Sequence, residues 1–526
     1  MKQLPGGIMT ETTFFTVRTA LIVALGGLLM GFDVSVISGV VPFIETQFHL
    51  TKIQLGWAVA SLTLTATLAM MLSGPLSDRV GRRPVLKIAA VMFAVSAVAS
   101  AVAPNFATLV VARLLGGLGV GAALIIAPMY IAEIAPAHLR GRLVSFNQLN
   151  IVIGISAAFF SNYLILSLAD SDAAWVQALG LARWNWRWML GVETLPAILY
   201  FIALYLVPES PRWLAMRGRD DEARRVLSSA IGAQQAEIEL QSVKASVAAG
   251  PQDQATIGEL FLPSMRRVVT IGILVAVLQQ ITGINAVFFY APMIFQQSGV
   301  GTDAAFMQAI FVGLVNLVFT ILAILLIDRL GRRPLLIAGL SGIVISMLML
   351  SYGFGSATYS IGSNALASLP QAIDRTALAP LVGQIYGSDV AFRGAVVSAV
   401  GGATYQAHES EFLSAAISIN PALILIGILA FVASFAMSLG PVMWVLFSEL
   451  FSNRVRGIAI SFVGLINSAV SFAVQFIFPW ELQNLGNSTT FLIYAAFALA
   501  GLPLIVKLLP ETKGRSLEAL EAELRQ

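Results

Sequence analysis

Three amide side chains inside one long apolar run are the residues of this sequence best suited to bind a polar ligand. Gln279, Gln280 and Asn285 lie within an apolar stretch that covers 268–290. An amide left unpaired in an apolar interior costs about 2–7 kcal/mol, so each of them needs a partner. Gly283 lies between them and permits either a close backbone approach or a local break in the helix. Two interpretations follow: the amides join neighbouring helices, or they line a site for a polar ligand.

A carboxylate also lies inside an apolar run. Asp33 belongs to the first such run, and Arg113, near the start of the fourth, is the only basic residue of that run. An ionisable group at that depth in a membrane is costly and indicates a functional site with a nearby partner of opposite charge. The pair is therefore either a permanent structural ion pair or a group that takes up and releases a proton.

The composition sets the class of protein. Of the 526 residues, 57% are hydrophobic and only 11% are charged, whereas soluble domains carry roughly 25% charged residues. The sequence therefore predicts a protein that crosses a membrane many times. It contains no cysteine and three isolated histidines, which argues against a disulfide or a metal site. We also find no nucleophile–base pair, phosphate-binding loop, cofactor motif or nucleic-acid-binding patch, so we expect neither an enzyme nor a cofactor.

Twelve apolar runs are long enough to span a bilayer as helices. They cover residues 17–41, 54–76, 85–103, 107–132, 143–168, 186–207, 267–290, 304–327, 335–355, 420–447, 458–479 and 489–509. Arginine and lysine concentrate in the loops that follow the even-numbered runs. By the positive-inside rule, both termini and the charged segment after the sixth run are cytoplasmic.

The chain contains an internal repeat. Asp78-Arg79-Val80-Gly81-Arg82-Arg83 recurs as Asp328-Arg329-Leu330-Gly331-Arg332-Arg333, and Pro208-Glu209-Ser210 recurs as Pro510-Glu511-Thr512. The order of the copies indicates two parallel halves of six helices each. We divide the chain into a first half at 1–207, a cytoplasmic linker with short helices at 208–266, a second half at 267–509 and a cytoplasmic tail at 510–526. An insertion at 356–419 faces the other side, as a tolerated surface loop, a lid or a docking element for a partner.

These motifs resemble the sugar porter family of the major facilitator superfamily, and within it the bacterial proton-coupled pentose and hexose symporters. Further motifs shared with that family are Gly31-Phe32-Asp33, the run from Pro208 to Leu214, Gly440-Pro441-Val442-Met443-Trp444 and the run from Pro510 to Gly514. The resemblance implies an all-α membrane protein of twelve transmembrane helices in two six-helix halves, with an intracellular helical segment between the halves.

The resemblance also implies a sugar site between the halves. Its ligands, transferred by motif position, are Gln148, Gln279, Gln280, Asn285, Asn316, Trp444 and Asn467. Amides suit sugar hydroxyls because both groups donate and accept hydrogen bonds, and an indole face suits the apolar side of a sugar ring. Asn316 could instead join helices, and Trp444 could be a packing residue. Phe289 stands where the family commonly has tyrosine, so the resemblance does not fix the sugar.

The resemblance further implies that Asp33 and Arg113 couple transport to a proton and that charged motifs close the cytoplasmic side. The gating residues would be Asp78, Arg79, Arg83, Glu133, Arg142, Glu193, Asp328, Arg329, Arg333, Glu449 and Arg456. The alternative for the arginines is that they only set the topology.

The sequence thus predicts a transporter that imports a monosaccharide with a proton by alternating access. A proton-independent facilitator and a non-transporting sugar sensor are the alternatives. We expect the partners to be the sugar, protons and the lipid bilayer, with no nucleic acid, and we expect a monomer in the bacterial inner membrane.

Overall fold

The part of the chain that the structure describes contains twelve helices long and apolar enough to cross a membrane, as the sequence predicts. The structure is a computed structural model that describes residues 11–248, 256–452 and 454–515; the predictions for the extreme termini and for part of the linker lie outside these residues. The twelve spans, numbered in chain order, are Glu11–Gln47, Lys52–Val80, Arg82–Ala101, Phe106–Ile134, Leu139–Ala169, Leu181–Leu206, Pro263–Gln296, Thr302–Leu330, Arg332–Gly355, Pro421–Leu450, Arg456–Asn484 and Asn487–Leu508.

Three of the spans are interrupted. The sixth consists of Leu181–Gly191, Thr194–Ala203 and the 3₁₀ turn Leu204–Leu206, the seventh of Arg266–Ile281 and Ile284–Gln296, and the tenth of Pro421–Met437 and Leu439–Leu450. The seventh breaks at Gly283, whose φ of +91° is a left-handed conformation that disfavours any side chain. A Cβ at Gly283 would also lie 2.7 Å from the Tyr494 ring. The break and the close approach, both considered from the sequence, therefore occur together.

The two halves meet along three pairs of helices. The second span packs on the eleventh, the fifth on the eighth and the first on the seventh. Gly56 shows how close the first of these contacts is, because a Cβ there would lie 2.0 Å from the carbonyl oxygen of Phe476. Trp57 adds edge contacts to the rings of Phe472 and Phe476. The second span begins at Lys52, so this contact lies at the end far from its arginine motif.

Short helices form the linker between the halves. They are Pro211–Met216, Asp220–Ile231 and Ala233–Ala248, followed by the 3₁₀ turns Ile257–Phe261 and Pro263–Met265. Leu214, Leu227 and Leu240 form a small apolar core that holds these helices together. The intracellular helical segment expected from the sequence is therefore present.

The predicted insertion is a folded unit with its own core. Its elements are the strand Thr358–Tyr359, the helices Ser363–Ser368 and Arg375–Leu378, the 3₁₀ turn Ala379–Leu381, the helices Asp389–Val400, Gly402–Ala407 and Glu409–Ala416, and the strand Ile417–Ser418. The two strands pair in antiparallel orientation at the base of the unit. Tyr359 stacks on Phe392 inside, with ring centroids 5.6 Å apart. The insertion therefore buries an aromatic cluster of its own.

Candidate functional site

The amides of the seventh and eleventh spans form one hydrogen-bonded network. Gln280 Nε2 donates to Gln279 Oε1 at 3.1 Å and to Asn467 Oδ1 at 3.2 Å. Asn467 Nδ2 donates to Gln279 Oε1 at 2.7 Å, and Asn285 Nδ2 donates to Gln280 Oε1 at 2.7 Å. Four of the seven predicted ligands therefore lie within hydrogen-bond reach of one another, where a single small molecule could contact all of them.

Both helix breaks contribute to this network. Gln279 Nε2 donates to the carbonyl oxygen of Leu439, the first residue after the break in the tenth span. The first segment of the seventh span ends at Ile281, one residue after Gln280, and the next segment starts at Ile284, just before Asn285. The interruption thereby brings together Gln280 and Asn285, which are five residues apart, because a continuous helix would place them on different faces.

A cavity of about 450 Å³ opens between the halves, which is within the size range of small-molecule sites, roughly 300–1,000 Å³. Its lining comes from the second, fourth, fifth, eighth, tenth and eleventh spans, at residues nearer the side of the membrane on which the arginine motifs lie. Gln148 and Trp444 line it, as does Ser468, which follows Asn467 in the chain, whereas the four amides of the network are not among its lining residues. Trp444 is 40% exposed, so its ring is available to a ligand and is not a core packing residue.

Two further asparagines, Asn316 and Asn147, lie outside the hydrogen-bonded amide network. Asn316 is buried on the eighth span, outside the hydrogen-bonded network and the cavity lining, so the structure does not join it to the other predicted ligands. Asn147 was not predicted, yet it lines the cavity beside Gln148. Its buried Oδ1 has no hydrogen-bond partner among the described residues. That oxygen lies against Gly27 of the first span, where an added Cβ would come within 2.8 Å of it, and only the tertiary structure could distinguish Asn147 from its polar neighbours.

The predicted ion pair of the first half is present. Arg113 donates from Nη1 to Asp33 Oδ1 at 2.5 Å and to the Asp33 carbonyl oxygen at 3.1 Å, and both side chains are almost fully buried. Asp33 Oδ2 and Arg113 Nε lack partners among the described atoms. The described residues therefore leave the pair incompletely satisfied.

Glu193 belongs with this pair and not with the gate to which the sequence analysis assigned it. It lies near the middle of the sixth span, 2% exposed, where Asp33 and Arg113 are its charged neighbours. Its Oε1 has no hydrogen-bond partner within the described chain. The sequence interpretation was wrong because it took Glu193 as a helix-end acid, whereas its depth in the span separates it from the arginine motifs. The site thus places two buried carboxyls, those of Asp33 and Glu193, beside the guanidinium of Arg113.

The first arginine motif makes a connected network at the end of the second span. Arg82, which was not among the predicted gating residues, donates from Nε and Nη2 to the two oxygens of Glu133 at 3.1 and 3.0 Å and pairs with Asp78 at 2.7 Å. Ser210 donates to the same Glu133 carboxylate. Arg83 instead donates to the carbonyl oxygens of Leu204 and Tyr205.

The second half repeats this network residue for residue. Arg332 donates to both oxygens of Glu449 at 3.1 and 2.7 Å and pairs with Asp328 at 3.1 Å. Thr512 donates to Glu449 at 2.6 Å, and Arg333 donates to the carbonyl oxygen of Val506 at 2.7 Å. In each motif the second arginine, and not the first, holds the acid, through the bidentate contact that is strong between a guanidinium and a carboxylate.

The other predicted gating residues take different places. Arg79, Arg142 and Arg329 are exposed, and Arg456 donates to the carbonyl oxygen of Phe451 at 3.2 Å. The expectation that Arg142 and Arg456 pair with the acids of the motifs was therefore wrong in this conformation, because Arg82 and Arg332 already occupy both oxygens of those acids.

Two glutamates beside the motifs have pKa values shifted in opposite directions. Burial raises the pKa of Glu209, although the N–H groups of Ser210, Arg83 and Arg82 and the charge of Arg82 oppose the shift. Burial acts in the same direction on Glu511, but the backbone N–H groups of Lys513, Arg332 and Arg333 outweigh it and lower the pKa of that carboxyl. The two copies of the motif are thus alike in contacts, but the pKa values of these two carboxyls shift in opposite directions.

Comparison with known proteins agrees with this geometry. The family described as "Sugar (and other) transporter" matches residues 19–372 and 381–524. The D-xylose-proton symporter of Escherichia coli (strain K12) is 35% identical, covering 95% of this chain and 94% of the relative. The arabinose-proton symporter of Bacillus subtilis (strain 168) is 32% identical, covering 96% and 94%.

Solved structures give the same result for the fold. The inward open conformation of the xylose transporter XylE from E. coli matches with a TM-score of 0.73 and 33% identity, covering 96% of this chain and 98% of that one. The proton:xylose symporter XylE bound to 6-bromo-6-deoxy-D-glucose matches with a TM-score of 0.68 and 34% identity, covering 97% and 99%. With its twelve spans, its repeated arginine motifs and a family match over nearly its whole length, this chain belongs to the sugar transporter family of the major facilitator fold.

Proposed function

We propose that this protein imports a monosaccharide together with a proton by alternating access of its two halves. The observation that carries the proposal is the division of chemistry between them. The second half presents an uncharged network of amides, whereas the first half buries two carboxyls against one guanidinium. Uncharged amides fit a neutral polyol and buried carboxyls fit a proton, so each half has the chemistry for one of the two substrates.

The amide network suits a sugar because its hydrogen bonds can be exchanged. Without a ligand, Gln279, Gln280, Asn285 and Asn467 satisfy one another. A sugar hydroxyl both donates and accepts, so it can replace an amide partner without leaving a buried group unpaired. A molecule of similar shape without hydroxyls would break the same bonds and replace none. The site therefore selects for hydroxyl groups at defined positions.

The buried acids suit proton coupling through charge balance. With Asp33 and Glu193 both ionised beside Arg113, the cluster carries one net negative charge in an apolar interior, which is costly. One bound proton makes the cluster neutral. Movement of the first half that changes the distances among these three groups would change the affinity for that proton, which is the requirement for coupled transport.

The arginine networks support alternating access with the cavity facing the cytoplasm. Every ion pair that the structure describes for Arg82 and Arg332 stays within its own half, and the cavity opens on the side of these motifs. By the positive-inside rule this side, together with both termini, is cytoplasmic. We place the protein in the bacterial inner membrane as a monomer, transporting sugar without catalysing a reaction.

Two other functions predict different behaviour. A proton-independent facilitator would have the same amide network, but the cluster of Asp33, Arg113 and Glu193 would then have no task. A non-transporting sensor would bind a sugar without moving it. The relatives named as xylose-proton and arabinose-proton symporters favour the coupled function.

Uptake into proteoliposomes tests the proposal. Purified protein is reconstituted, and uptake of a panel of labelled pentoses and hexoses is measured with and without an inward proton gradient. We expect at least one sugar to accumulate above its external concentration only when the gradient is present. Equilibration without accumulation would establish the facilitator, and saturable binding without flux for every sugar would establish the sensor.

A further inference from the structure

The insertion between the ninth and tenth spans crosses to the other half of the protein. Although it belongs to the second half by sequence, two of its residues, Gln406 and Glu409, contact the outer ends of the first two spans. Glu45 lies at the end of the first span there and Lys52 begins the second. The contact lies on the side opposite the cytoplasmic cavity. We call the charged residues Glu45, Lys52, Arg393 and Glu409, together with Gln406, the outer cluster.

The contacts across the halves are specific. Lys52 Nζ lies 2.5 Å from Glu45 Oε1 within the first half and 3.6 Å from Glu409 Oε2 across the boundary. Gln406 Nε2 donates to the carbonyl oxygen of Leu50 at 2.8 Å and to Glu45 Oε1 at 3.3 Å. The side chains of Glu45 and Lys52 are each 9% exposed and that of Glu409 is 17% exposed. A buried contact of this kind is much less screened than a surface ion pair.

The insertion is also fixed firmly to the second half. Gln297 Nε2 donates to Glu409 Oε1 at 3.1 Å, and Asn487 Nδ2 donates to Asp389 Oδ2 at 2.7 Å. Arg393 Nη1 donates to the carbonyl oxygen of Gln483 at 2.7 Å. The insertion therefore moves with the second half, and any rocking of the halves must break its contacts with the first.

The charges of the outer cluster stay balanced when the two halves separate. It contains two acids and two bases, and each side keeps one of each: Glu45 with Lys52 in the first half, Glu409 with Arg393 in the second. Burial alone would raise the pKa of Glu409, but Lys52 and Arg393 outweigh burial and lower it. When the halves part, neither face keeps an unpaired charge. The contact can therefore open and close repeatedly without the high cost of an isolated buried ion.

We propose that the insertion is a latch that holds the outer side of the transporter closed while the cavity faces the cytoplasm. The latch rests on the alternating access of the proposed function and adds a built-in bias between its two states. Outward opening requires Lys52 to leave Glu409 and Gln406 to leave the Leu50 carbonyl. The latch thus shifts the resting population toward the inward-open state.

A single-cysteine reporter tests the latch without any sugar. The chain contains no cysteine, so Ala60→Cys introduces one reactive thiol. Ala60 is fully buried and lies one turn beyond Gly56, on the face that packs against the eleventh span. A membrane-impermeant maleimide added from outside reaches it only when the outer ends of the halves separate. The rate of labelling therefore reports outward opening.

In the reporter background, Glu409→Gln should raise the labelling rate at least about tenfold, because it removes the contact of Glu409 with Lys52, which exists in the closed state only, whereas the pair of Glu409 with Arg393 is lost in both states. Gln406→Ala, which changes no charge, should raise it by about threefold through the loss of two hydrogen bonds. The matched control is Glu411→Gln, in the same helix and 46% exposed, which should leave the rate unchanged.

The possible results of the labelling assay distinguish the latch from the proposed function. Unchanged labelling in both latch variants would overturn the latch, whatever the transport assay shows. Size-exclusion chromatography reports whether Glu409→Gln folds, and if it does not, Gln406→Ala decides alone. A normal proton-coupled uptake with unchanged labelling would reject the latch and keep the proposed function, whereas faster labelling without uptake would do the reverse.

Discussion

Replacing Asp33 with asparagine should abolish accumulation of the sugar while leaving its movement across the membrane intact. The asparagine would keep the shape of the side chain and a hydrogen-bond acceptor for Arg113, whose Nη1 now contacts Asp33 Oδ1 at 2.5 Å. The charge count changes: one guanidinium then faces one carboxyl, that of Glu193. The cluster is neutral without a proton, so nothing in the cycle requires one.

The expected magnitude follows from the energy of the gradient. A difference of one pH unit supplies about 1.36 kcal/mol per proton, equivalent to roughly tenfold accumulation at one proton per sugar. In the Asp33→Asn variant the proton no longer contributes, so the accumulation ratio should fall from about ten to about one. Exchange of labelled for unlabelled sugar needs no net proton movement and should persist.

The assay compares both measurements in the same proteoliposomes. Asp172→Asn is the matched control, since Asp172 is exposed in the loop after the fifth span and should not affect either value. Accumulation that survives Asp33→Asn would refute the charge-balance argument. Loss of exchange together with accumulation would also refute it, because the substitution would then be damaging binding or folding and not coupling.

Three further predictions follow from contacts elsewhere. Gln280→Ala removes three hydrogen bonds of the amide network, and we expect the sugar Kd to rise about 10- to 100-fold in equilibrium binding; an unchanged Kd would exclude Gln280 as a ligand. Arg82→Lys loses the bidentate contact with Glu133 and should destabilise the protein by about 1–3 kcal/mol, lowering the Tm in detergent, whereas Arg79→Lys, at an exposed position, should not. Glu409 has a lowered pKa, so the latch should hold above the ordinary glutamate value of 4.5 and weaken only as the pH falls through the lower folded-state pKa. Its titratable neighbours are Glu45, Lys52, Arg393 and Tyr405, whereas His408 faces Glu411. The labelling rate of the Ala60→Cys reporter, divided at each pH by that of an exposed single cysteine to remove the pH dependence of the thiolate, should therefore stay flat from about pH 8 to about pH 5, and a rise within that range would contradict the assignment.

The sequence determined the membrane class, the twelve spans and the two halves. These follow from local properties: the length of an apolar run fixes whether it can cross a bilayer, and the repeated arginine motifs fix the symmetry. It also identified the pairing of Asp33 with Arg113, because a lone base in an apolar run is the obvious partner for a lone acid.

The tertiary structure decided which residues share a site. Glu193 lies beside Asp33 and Arg113 and not in the cytoplasmic gate, because its depth in the sixth span determines which charged groups surround it. Arg82 replaced Arg79 and Arg83 as the partner of Glu133 for the same reason: the direction of each side chain depends on the turn after the helix. The insertion is the clearest case, because its charges are scattered along the sequence. Only the tertiary structure shows the contact between Glu409 and Lys52 of the other half, on which the proposed latch depends. Local pattern fixes the helices, whereas contacts between helices distant in sequence fix the chemistry.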